Sequence, residues 1–111
     1  MNPTPLGVVC EYFARVRARD LGVVDLFHED ARLLGLGALR QGRPAILEFY
    51  RGVLERAGPS PRIVGDLLAS GVRVAAEIEI ELTGGAMVHA LDLFEVEDGR
   101  IRCLTYFLAS P

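Results

Sequence analysis

The apolar positions change period part-way along the chain, from helical spacing in the first half to alternation in the second. Thr4-Pro5 offers a capping hydroxyl followed by proline at the first helical position. Leu6, Val9, Phe13 and Val16 follow at helical spacing, which predicts a first helix ending near Asp20. A short second helix is expected over about residues 21–27, before the polar break His28-Glu29-Asp30. Residues 31–36 predict a short strand ending in Gly35 and Gly37. Gly42-Arg43-Pro44 then opens a third helix, with an apolar stripe of Ile46, Phe49, Tyr50, Val53, Leu54 and Ala57 and a stop at Gly58. Pro59-Ser60-Pro61 predicts a break.

From Arg62 the period is two. Strands are expected over residues 63–69, 72–82, 86–97 and 100–108, with hairpin turns at Gly84-Gly85 and Asp98-Gly99, dipeptides that tolerate positive φ. Helices in one segment and strands in another predict an α+β layout, with three N-terminal helices packed on a curved, mostly antiparallel β-sheet. In the strand 72–82, Glu77, Glu79 and Glu81 share one face and predict a solvated surface or a subunit boundary. In the strand 86–97, Asp92 is the lone polar residue of the row Ala86, Val88, Ala90, Phe94 and Val96. A carboxylate there costs several kcal/mol if left unpaired, on the order of the burial cost of other polar groups. It therefore either faces a pocket or is a structural acid paired to backbone amides or an arginine.

Composition narrows the function. One hundred and eleven residues fit one domain over residues 1–111, and 50% apolar with 24% charged residues is ordinary globular chemistry. All twelve basic residues are arginine, which excludes lysine Schiff-base chemistry and a Walker-type phosphate loop. The arginines are scattered among acids at a net charge of −3, so no nucleic-acid partner is expected. No apolar run is long enough to predict a membrane span, and the leading stretch has no basic segment of a secretory signal, so a cytoplasmic location is expected. Cys10 and Cys103 are far apart and predict reduced thiols, and neither His28 nor His89 has a metal-ligand neighbour, so no metal and no cofactor is expected. Ser60, Ser70 and Ser110 lie near no suitable histidine, which argues against a serine hydrolase.

Three stretches in order, EYFARVRARDLGVVDLFHEDARL, RQGRPAILEFYRGVL and HALDLFEVEDGRI, resemble the nuclear transport factor 2-like superfamily over about Leu6 to Leu108. That family of cone-shaped α+β proteins includes ketosteroid isomerases, SnoaL-like polyketide cyclases and limonene epoxide hydrolases. Against the ketosteroid isomerase pattern, the resemblance places the oxyanion-hole tyrosine at Tyr12, its hydrogen-bonding tyrosine at Tyr50, and the second oxyanion-hole acid at Asp92. A further tyrosine of that network falls on Phe27, without its hydroxyl, and the catalytic base falls in Leu33-Leu34-Gly35-Leu36, where no carboxylate exists. The resemblance therefore implies a pocket for a small apolar molecule, with Tyr12 and Asp92 as the groups that polarise a carbonyl. Val16, Tyr50, Phe27, Leu33, Gly35, Ile78 and Phe94 are its implied lining. It implies an isomerase or cyclase without the usual base, or else a non-catalytic binding or dimerisation module. No steroid isomerisation is expected, and the last strand lacks the carboxylate of an epoxide hydrolase. Met87, Leu91 and Leu93 lie opposite Asp92 and point to a homodimer through the sheet.

Overall fold

A computed structural model describes residues 3–109; Ser110 and the first two residues of the leading stretch lie outside them. Helix α1 spans Pro5–Arg17, and the Thr4 hydroxyl accepts a hydrogen bond from the Gly7 amide at 3.0 Å. Its buried stripe keeps the expected Val9, Phe13 and Val16 and adds Val8 and Tyr12, so Tyr12 faces the core, while Leu6 is exposed. The short second helix is a 3-10 helix, Leu21–Leu26, capped by the Asp20 carboxylate at the Gly22 amide. Helix α2 spans Arg43–Arg56 and buries Ile46, Tyr50 and Leu54.

The strands are β1 (Phe27–Gly35), β2 (Ala38–Gln41), β3 (Ser60–Ile63), β4 (Leu68–Ser70), β5 (Arg73–Glu81), β6 (Met87–Glu97) and β7 (Arg100–Leu108). They form one sheet in the order β2-β1-β7-β6-β5-β3, with β4 also on β5. Only the β1–β7 pairing is parallel; the others are antiparallel. The architecture is thus the α+β arrangement expected, helices on one face of a mostly antiparallel sheet.

The details depart from expectation at four points. His28-Glu29-Asp30 is not a break but part of β1, where His28 Nε2–H donates to the Glu97 carbonyl at 2.7 Å. β2 is an additional strand, joined to β1 through Leu36-Gly37, both at positive φ (51° and 76°). The single strand expected over residues 63–69 is two, because Gly65 at φ +69° turns the chain between β3 and β4. Pro61 lies inside β3, which is tolerable because β3 is an edge strand and needs no second partner for the missing N–H.

Register decides which side chains meet. On the inner face, one row across the sheet runs Ala76, Asp92 and Tyr106, and the next toward the hairpin end runs Val74, Phe94 and Leu104. The pairing of β6 with β7 shifts by one residue between Glu95 and Val96, a bulge that bends the sheet and re-aims β7. α1 and α2 cover this inner face, and the fully buried Phe13, Phe27, Phe94, Leu33 and Leu104 fill the space between.

Candidate active site

The core does not fill completely. Between the helices and the inner sheet face lies a cavity of about 150 Å³. Tyr12 and Val16 of α1 and Phe49 and Tyr50 of α2 form one side. Ile78 of β5, Asp92 of β6, and Leu104 and Tyr106 of β7 form the other. Half-buried Ile80 and exposed Leu108 complete this side of the lining. Small residues make the room: Ala90 is on the wall beside Asp92, and Ala76 is its cross-strand neighbour. All three tyrosines of the chain and the one buried carboxylate among the described residues therefore converge on a single apolar cavity.

The Tyr12 and Tyr50 hydroxyls are 2.6 Å apart and buried. One donates to the other, so one hydroxyl hydrogen of the pair is left over for a bound molecule. Edge contacts from Phe13, Phe27 and Phe94 hold the Tyr12 ring, with centroids at 5.0, 6.3 and 5.1 Å. Asp92 is only 6% exposed, yet among the described residues its carboxyl makes no hydrogen bond and neither oxygen is sealed off. The carboxyl oxygens therefore face the cavity. Among the described residues no cluster of His, Cys, Asp and Glu is placed to hold a metal ion, and no helix is long and apolar enough to cross a membrane.

A SnoaL-like domain profile matches residues 9–104, nearly the whole chain. The chain belongs to the SnoaL-like domain family. Solved structures share the fold of this SnoaL-like chain. A candidate polyketide cyclase from Sinorhizobium meliloti superposes with a TM-score of 0.82 at 24% identity, covering 90% of this chain and 93% of that one. A candidate ketosteroid isomerase from Kribbella flavida gives 0.83 at 21% identity, covering 94% and 76%. A nuclear transport factor 2-like protein of unknown function from Cytophaga hutchinsonii gives 0.79 at 16% identity, covering 98% and 93%. No curated protein matches the sequence significantly.

In this SnoaL-like chain the residues singled out from sequence separate into two groups. Tyr12, Val16, Tyr50, Ile78 and Asp92 are on the cavity wall. Phe27, Leu33 and Phe94 are not: each is fully buried behind the wall, where Phe27 and Phe94 back the tyrosine pair. Gly35 is not on the wall either, because the phenol end of Tyr106 lies over it where a Cβ would be. Tyr106 is the polar wall residue that sequence reasoning missed. Its ring is held against Phe49 at 6.0 Å, and the Arg40 guanidinium covers Phe49 at 4.6 Å.

Burial sets the electrostatics of the SnoaL-like cavity. It pushes the Asp92 carboxyl from 3.8 up to about 7, because the anion loses hydration without gaining a partner. Tyr12 is raised well above an ordinary phenol, first by burial and then by the neighbouring Tyr50 and Asp92 charges. Tyr50 is raised too, chiefly by burial, although its hydrogen bond with Tyr12 works the other way. Both phenols thus stay protonated and serve as donors, whereas Asp92 exchanges its proton near neutrality.

Proposed function

We propose that the protein moves a proton on a small, apolar carbonyl compound, as an isomerase or cyclase, with Asp92 as the group that carries the proton. The observation that supports this best is a buried carboxyl facing an apolar cavity beside a hydrogen-bonded phenol pair. A carbonyl oxygen against Tyr12 would receive the spare hydrogen of the Tyr12–Tyr50 pair. Negative charge developing on that oxygen is stabilised by such donors by about 3 kcal/mol each. A carboxyl that titrates near the working pH can both take a proton from the adjacent carbon and return it. In its protonated form Asp92 is a second donor to the same oxygen. The fold-mates described as candidate cyclase and isomerase support the reaction class by analogy of fold alone.

One observation favours a different reading, a binding module without catalysis. The end of β1 carries no carboxylate, and the space at Gly35 is taken by Tyr106. The experiment that separates the two is hydrogen–deuterium exchange of a small cyclic ketone in heavy water. The acid–base reading expects exchange above the buffer rate, rising with pH through about 7 as Asp92 ionises and level above it. A rate no different from buffer between pH 5 and pH 9 would leave only the binding module.

The assembly proposed with this function is a homodimer through the outer face of the sheet. There Leu93, Thr105, Leu34 and Leu39 run side by side, with exposed Leu91 and Phe107 adjacent. Contiguous apolar surface of this kind marks an interaction site. The expected sedimentation mass is twice the 12.1 kDa of the chain; a mass of one chain at tens of micromolar would exclude the dimer.

A further inference from the structure

We propose that the Asp92 cavity is built for a single six-membered ring carrying one carbonyl or enolic oxygen, and that Tyr106, seated on Gly35, sets this size limit. The proposal rests on the acid–base reading above and narrows it to a substrate class. A cavity of about 150 Å³ is the size of one that takes benzene, and well below the roughly 300–1,000 Å³ of sites for larger ligands. Its polar groups also lie together. The Tyr12 and Tyr50 hydroxyls are hydrogen-bonded to each other, and the charge of Asp92 reaches both. The remaining wall is apolar, with Val16, Ile78 and Leu104 among its side chains. A ligand with one oxygen at one end and hydrocarbon elsewhere leaves no polar group unpaired, whereas a second polar substituent would be desolvated without a partner.

Tyr106 limits the length of that ligand. Leu34 pairs with Thr105 in the parallel β1–β7 ladder, so Gly35 and Tyr106 fall one position further along on the inner row. A side chain at residue 35 would overlap the phenol carbons of Tyr106. The glycine thus lets the ring lie down across β1, where Phe49 holds it from the helix side. In that position the phenol closes the β1 end of the cavity. Without it, the space over Gly35 would join the cavity, and a second fused ring would fit.

The test is calorimetric binding at pH 6 of phenol and 2-naphthol, one-ring and two-ring mimics of an enol, to the wild type and to Tyr106→Ala. The wild type is expected to bind phenol at least tenfold more tightly than 2-naphthol. Tyr106→Ala is expected to bind 2-naphthol at least tenfold more tightly than the wild type does. Tyr106→Leu, which keeps apolar packing, serves if the alanine variant does not fold. Equal wild-type affinity for the two probes, or an unchanged ratio in both variants, would overturn the size limit. Asp92→Asn separates the proposal from the reading beneath it. A lost ring preference with phenol affinity still dependent on Asp92 overturns the size limit alone. Phenol affinity indifferent to Asp92→Asn, or no binding of phenol, overturns the acid–base reading and this proposal with it.

Discussion

Asp92→Asn is expected to stabilise the protein at pH 8, by up to about 4 kcal/mol, while lowering any proton transfer by roughly 10²–10⁴-fold. The sign follows from where the proton is. In the unfolded chain the carboxyl releases its proton near 3.8, whereas in the folded chain it keeps it up to about 7. Between those values the native state holds one more proton than the unfolded state, so stability falls as pH rises through this window. Below about pH 4 both states are protonated and Asp92 exacts no charge penalty. Above about pH 7 both are ionised, and the full cost of the buried anion is present. Asparagine is neutral throughout and nearly the same size. The difference between the two proteins in denaturant midpoint should therefore be largest at pH 8 and shrink toward zero at pH 4. Comparing the variants at each pH cancels the titration of all other groups. An asparagine variant less stable than wild type at pH 8 would show that the carboxylate is paired in the native state. A functional group held at a cost to stability is what an acid–base site requires.

Gly35→Ala is expected to destabilise by about 1–3 kcal/mol, the usual cost of forcing atoms into an occupied core position. Backbone conformation is not the reason, because Gly35 has no positive φ and lies within β1. In a strand, alanine in place of glycine is normally favourable by roughly 0.5–1 kcal/mol. The loss comes from the Tyr106 ring, which the new methyl group displaces. The same substitution made in Tyr106→Ala should accordingly be neutral or stabilising. A double-mutant cycle by chemical denaturation would then give a coupling of more than 1 kcal/mol, within the range of residues in contact. Additive effects would mean that Tyr106 does not rest on Gly35 in solution.

The parts of this molecule that local rules govern could be read directly from the sequence. Thr4-Pro5 starts α1 and Gly42-Arg43-Pro44 starts α2, because caps and proline act within a few residues. Asp98-Gly99 makes its hairpin with both residues at positive φ. Asp92 stood out because one carboxylate interrupts an apolar row, and the alternation on β6 places it inward. Tyr106 was hidden by one residue. Counting back from the Asp98-Gly99 turn with regular pairing puts Thr105 opposite Asp92. The bulge near Glu95 moves the register, so Tyr106 takes that place and turns inward with Leu104. Nothing in the alternation of Arg100–Leu108 announces the shift. β2 was hidden for a different reason: its turn is Leu36-Gly37, and leucine at positive φ is not a turn signal. Phe27, Leu33 and Phe94 show the converse limit. Alternation turns Phe94 inward and the resemblance implied Phe27 and Leu33 as lining, but which inward residues meet the cavity depends on how the helices cross the sheet.

The role of Asp92 is tested most directly by its ionisation, read from its carboxyl carbon by carbon-13 NMR, with Asp92→Asn assigning the signal. The expected midpoint is near 7, the mark of an acid held in an apolar cavity and able to exchange its proton there. A midpoint at or below the ordinary ~3.9 would mean a carboxylate with a partner, and would contradict Asp92 as the proton-carrying group.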